Sequence, residues 1–225
     1  MEEKGLIPAF RDSLLNPTLV SSVIDLAEIG FDTIVLNGVL QELPVVKTLV
    51  GVGKFAYSVR ERNLLKLTLR FIAHIHDGTI SSTQFEKYRT ALYENPRKAE
   101  QELSRVLILL DRFIDDEKEK ILAAFFRAYI QGLINWGEFC ELSDALDRLF
   151  ISDIRLLYRI VVEEARLLYE QGGYSADRLV SVGLVNNPTY NIKIDFGGFP
   201  PFGKIPLSLT KLGKIFIQYC DIEQE

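Results

Sequence analysis

His74 and His76 are the chain's two histidines and the first residues to weigh for metal or proton chemistry. Two positions apart on a helix, they point in divergent directions, so they make a poor joint ligand pair and read as polar residues near a turn. Acids fall close together at Asp144 and Asp147 and at Glu163 and Glu164, as acid–base work would require. Both pairs sit among arginines on helical sequence, where solvated faces with local ion pairs are the simpler role. The stretch Gly51-Val52-Gly53-Lys54 lacks the spacing of a phosphate-binding loop, lies in helical sequence and has no strand before it. Cys140 and Cys220, far apart, supply neither a disulfide framework nor a zinc site. The expectation is a non-enzyme with no metal and no cofactor.

Residues suited to binding are easier to find. Arg60, Arg62 and Lys66 flank the apolar region Ile29 to Tyr57 and can lie against anionic headgroups. Asp32, Glu42, Lys47 and Lys54 interrupt that region, and each charge is costly at bilayer depth. A buried pair of core helices is therefore preferred to a membrane-active hairpin released on triggering. Near the C-terminus Arg178, Lys193 and Lys204 are candidate phosphate contacts. Together with Lys211 and Lys214 they are balanced by Asp177, Asp195, Asp221, Glu223 and Glu225, whereas a nucleic-acid reader gathers an unopposed basic surface. Phe196, Phe199 and Phe202 stand on a Gly- and Pro-rich turn, FGGFPPFG, either as an exposed contact patch or folded back onto the helical body.

The elements that position these residues follow from periodicity and caps. A chain of 225 residues with 14 Phe and 9 Tyr can bury a full core, which excludes a disordered protein. A net charge of −5 argues against a chain-wide nucleic-acid footprint. No secretory signal and no run of roughly 20 apolar residues appears, so a cytoplasmic protein is expected. Asn16-Pro17 opens a helix to about Leu40, and Pro44 opens another whose second half buries Val59, Leu64, Leu67, Phe71 and Ile75. Asn95-Pro96 starts a helix carrying Leu103, Val106, Leu107, Leu110 and Phe113 inward, and Asp115-Asp116 starts one carrying Ile121, Leu122, Phe125, Phe126 and Tyr129.

An internal echo aligns Phe71–Phe85 with Phe125–Phe139, matching Gly78 to Gly132 and Ile80 to Ile134. Both segments read as helix, turn, helix, with Gly past a helix end and Ser81 or Asn135 capping the next helix through Gln84 or Glu138. The turns DGTIS and QGLIN resemble the back half of an EF-hand loop. Aligned on the Gly, however, the first two ligand positions hold Ala73 and Ile75, then Arg127 and Tyr129, which cannot bind calcium. Beyond Glu170 the helical period gives way: Gly172 and Gly173 break a helix, a short helix Ser175 to Val182 ends at Gly183, and Tyr190, Ile192 and Ile194 alternate as a strand. Leu207 to Leu209 return as a second strand, and Thr210 caps a last helix with Leu212, Ile215, Phe216 and Tyr219 inward.

The tail, reading helix, VGLV, strand, turn, strand, LTKLGKIFIQY, resembles the end of a winged-helix domain with its two-stranded wing and terminal Leu-Thr-x-x-Gly helix. Asn16 to Phe150 resembles a group of largely uncharacterised bacterial helical proteins, through Leu43-Pro44-Val45-Val46, Arg60-Glu61-Arg62 and Tyr129-Ile130-Gln131-Gly132-Leu133-Ile134. These resemblances imply a mainly α multi-helix bundle over residues 1–170 and a small winged-helix-like α/β subdomain over 171–225. The expected role is that of a binding or effector protein, by analogy in a bacterial defence- or toxin-like response. Its expected partner is a protein or a second copy, with nucleic acid at the tail, or a membrane on activation, as the other readings.

Overall fold

The computed structural model describes residues 5–16, 42–50, 58–162, 169–186 and 207–220, and over them the chain is mainly α-helical. In chain order the helices are α1 (Leu6–Leu14), α2 (Pro44–Val50), α3 (Val59–Ile75), α4 (Ser82–Glu94), α5 (Pro96–Arg112), α6 (Asp116–Ile130), α7 (Trp136–Arg148), α8 (Ile151–Val162), α9 (Tyr169–Ser181) and α10 (Lys211–Tyr219). They fall into two compact units, Met1–Ile134 and Asn135–Glu225. Among the described residues no helix is long and apolar enough to cross a membrane.

The first unit is built around α3, which packs along α6 and also meets α2 and α5, while α4 packs on α5 and α6. Its centre is aromatic: the ring of Phe71 lies 6.2 Å from that of Phe10 and 5.6 Å from that of Phe126, in tilted arrangements that suit ring quadrupoles. Leu103, Val106, Leu107, Leu110 and Phe113 are buried, as are Ile121, Leu122, Phe125 and Phe126, so the periodicity of α5 and α6 identifies the core correctly. Helix α1 was not anticipated from the sequence. Its Pro8 stands in the first turn, where no intrahelical bond is lost, and its Ser13 hydroxyl accepts the backbone N–H of Val45 at 3.0 Å, fastening α1 to α2.

Two expectations are corrected here. The helix opened by Pro44 does not run on to Ile75: α2 ends at Val50, and α3 starts afresh at Ser58, whose backbone is extended. Ser58 Oγ accepts Glu61 N–H at 3.2 Å and Glu61 Oε2 accepts Ser58 N–H at 2.8 Å, a capping box that the unbroken apolar pattern concealed. Val59, assigned to the buried face, is therefore the first residue of a helix and 85% exposed, whereas Leu67, Phe71 and Ile75 are buried as expected. The proposed helix from Pro17 to Leu40 and the Gly51–Lys54 stretch lie outside the described residues.

In the second unit α8 packs on α9, and α10 on α7 and α8. Phe139, Leu142, Leu146, Ile154, Leu157, Leu179 and Phe216 are buried there. Gly173 interrupts α9 at φ +52°, the break that Gly172 and Gly173 foretold; the composition boundary at 170/171 falls just before it. Among the described residues no strand forms. Among the described residues Leu207 to Leu209, expected as a strand, makes one antiparallel bridge, Leu209 to Val185, and Thr210 then caps α10. The strand at Tyr190–Ile194 and the aromatic turn lie outside the described residues.

Candidate functional site

The candidate cations divide by partner. Arg60 sends its guanidinium across to the Asp111 carboxylate on α5, through both Nε and Nη2, and holds that carboxyl below its usual range. Lys66 and Arg70 both end on Asp116 Oδ2, Arg70 at 2.6 Å. Arg62 lies exposed on the first turn of α3. Phe196, Phe199, Phe202, Lys193 and Lys204 lie outside the described residues.

Arg178, a candidate phosphate contact, closes a fork on Asp153, with Nε at 2.8 Å from Oδ2 and Nη2 at 2.6 Å from Oδ1. Asp153 is excluded from solvent in the first turn of α8, where its Oδ2 also accepts Phe150 N–H at 2.8 Å. Burial works against its charge, but hydrogen bonds from Arg178, Ser175 and the Phe150 backbone outweigh it and hold the carboxyl below the usual range. The guanidinium also lies 4.9 Å from the Phe150 ring centroid, and its Nη2 is 3.2 Å from Ser175 Oγ. Phe150 is 59% exposed, and Tyr174, beside Ser175, is 83% exposed. The result is a fixed planar cation against the exposed ring of Phe150, with its charge already answered. The sequence shows only its two halves, Phe150 and Asp153 in a first-turn cap relation and Ser175 and Arg178 one helical turn apart; the pairing between them, 25 residues apart, leaves no local signal.

The histidines take separate partners, as their divergence requires. His76 Nε2 is 2.7 Å from the Leu14 carbonyl, which can only accept, so that nitrogen carries the proton; burial pushes its pKa down. His74 Nδ1 lies 3.0 Å from Oε1 of the buried Glu119. Another buried acid, Glu102, accepts the hydroxyls of Tyr88, at 2.9 Å, and Tyr129, with Lys98 Nζ at 3.7 Å and over both rings. Burial, with the Glu102 charge beside it, raises the Tyr88 phenol well above its ordinary range and keeps it a donor. Glu102 and Glu119 were not singled out from the sequence; each occupies an otherwise apolar helical face.

Both expected turns form. Gly78 and Gly132 adopt φ +89° and +74°, and Ser81 with Gln84, and Asn135 with Glu138, make complete capping boxes. The turns also meet: Gln131 Nε2 donates to Thr79 O at 2.8 Å, and Gln84 Nε2 to Gln131 O at 3.2 Å. The first turn's acid is engaged in structure, with Asp77 Oδ1 accepting Thr79 N–H and Oδ2 facing Arg127 at 2.9 Å. Among the described residues no group of three or more His, Cys, Asp or Glu is placed to hold a metal ion. Asp144 and Asp147 lie on α7, exposed and half-buried respectively. The exposed face of α4 forms an open depression carrying Ser82, Glu86, Lys87 and Thr90. In comparisons with family models, with curated proteins and with solved structures, nothing matches this chain.

Proposed function

We propose that this chain is a non-enzymatic interaction protein that docks a protein partner through the surface formed by Phe150, Tyr174 and the Arg178 fork. The observation that carries this is the state of the cations. Arg60, Lys66 and Arg178 are each satisfied by a carboxylate of the same chain, so binding phosphates would require breaking those pairs. A neutralised, rigid guanidinium against the exposed Phe150 ring suits a protein surface, since Arg and aromatic residues anchor such interfaces and a pre-fixed side chain loses little entropy on binding.

The membrane reading of Ile29 to Tyr57 is disfavoured by Leu43, Val45 and Val46, which are buried where α2 meets α1. Exposing them to a bilayer requires α2 to leave that site. The nucleic-acid reading rests on a winged-helix-like tail; among the described residues the tail forms one isolated bridge and no strand, and Arg178 is paired with Asp153. A role in a bacterial defence- or toxin-like response is an analogy from the helical resemblance.

The test is affinity purification of the full chain beside the double variant Phe150→Ser, Tyr174→Ser. A protein recovered in fixed stoichiometry with the wild type, and lost with a variant of unchanged thermal stability, is expected. Undiminished recovery with the variant overturns the assignment of this surface. A mobility shift on duplex DNA at low salt, abolished by Lys193→Glu, would favour the nucleic-acid reading instead.

A further inference from the structure

Helix α3 carries Lys66, Arg70 and His74 four residues apart, which stacks them on one face, and α6 meets that face with Asp116 and Glu119. Beyond His74 the seam continues: Arg127 of α6 donates to the His74 carbonyl at 2.7 Å and pairs with Asp77. Around the histidine, three cations, Lys66, Arg70 and Arg127, face three acids, Asp116, Glu119 and Asp77. Glu119 is the deepest member, wholly excluded from solvent. Its Oε1 has His74 Nδ1; its Oε2 stands 3.6 Å from Arg70 Nε, and neither of those two buried atoms makes a hydrogen bond. A buried carboxylate with one hydrogen bond is poorly solvated as an anion, whereas its neutral acid needs less.

We propose that Glu119, packed against His74, is a proton-uptake site that couples the packing of α3 against α6 to pH, firming the seam as the medium acidifies. Burial pushes the Glu119 carboxyl up, with the neighbouring Asp116 adding to it, while His74 and Arg70 pull the other way. Arg60, Lys47, Lys98 and Glu102 on these and neighbouring elements are engaged elsewhere. Arg60 pairs with Asp111 where α3 meets α5, Lys47 of α2 pairs with Glu42, and Lys98 and Glu102 of α5 face Tyr88 and Tyr129. The sign follows from linkage. A carboxyl that holds its proton more tightly folded than unfolded adds stability that is full below the unfolded value and is lost as pH rises through the folded one.

The test is unfolding of the full-length wild type, Glu119→Gln and His74→Asn between pH 8 and pH 4, with a 13C NMR titration of the wild-type glutamate carboxyls. Relative to Glu119→Gln, the wild type is expected to gain on acidification, about tenfold in the unfolding constant for each unit between the folded and unfolded values. One glutamate signal should titrate above its ordinary range, and His74→Asn, which removes a group favouring the anion, should move that signal higher still. If Glu119→Gln does not fold, the wild-type and His74→Asn titrations decide. Parallel stability profiles, or every glutamate carboxyl titrating in the ordinary range, overturn the proposal.

Discussion

Single side chains in this protein carry more than their residue types announce. Gly213, in the Leu-Thr-x-x-Gly phrase, packs so closely on the preceding turn that an added Cβ would stand 2.0 Å from the Leu184 carbonyl oxygen. Gly183 is left-handed at φ +77° but borders open space, so the two glycines are kept for different reasons. Denaturant unfolding should show Gly213→Ala costing about 3 kcal/mol or more, because backbone must move. Gly183→Ala should cost about 1 kcal/mol, for the strained φ alone. Equal effects would contradict the close approach. At Asp153 the folded carboxyl is held down, so its stabilisation is full above the unfolded value of about 3.9 and is lost as pH falls through the lower folded one. The stability gap between wild type and Asp153→Asn should therefore be flat from pH 7 to pH 5 and close only in strong acid. A gap that closes near neutrality would contradict this.

Among the elements, local chemistry decided where helices begin. Asn95, Ser81, Asn135 and Thr210 each accept a backbone N–H at the start of α5, α4, α7 and α10, as their positions foretold. Asn135→Ala should cost about 1 kcal/mol in thermal or chemical unfolding, since it frees the Glu138 N–H and breaks the reciprocal box. No loss would mean that the turn is held by Ile134 alone. These starts were legible because a cap is read from three or four neighbouring residues. Ser58 and Glu61 carry the same signature, but the apolar run on either side of them reads as one helix. The partners of Arg178, Arg60 and Glu119 were not legible, because they lie 25, 51 and 45 residues away and depend on which faces meet. At Leu207 to Leu209, where alternation favours a strand, one bridge forms among the described residues before the Thr210 cap opens α10.

At the scale of the whole molecule, the described cations Arg60, Lys66 and Arg178 each pair with a carboxylate of the chain, and Phe150 and Tyr174 lie exposed in the second unit. An overall charge of −5 and committed cations predict weak, non-specific nucleic-acid binding that vanishes as salt approaches physiological strength. Fluorescence anisotropy with duplex DNA at 50 and 150 mM salt checks this, and tight binding at the higher value would point back to the tail. Light scattering coupled to size-exclusion chromatography, with mass spectrometry of whatever accompanies the purified chain, bears most directly on docking through Phe150 and Tyr174. A stoichiometric protein companion or a defined oligomer should appear with the wild type and be lost in Phe150→Ser, Tyr174→Ser at unchanged melting temperature. An empty monomer, or nucleic acid as the companion, would contradict a protein-docking role.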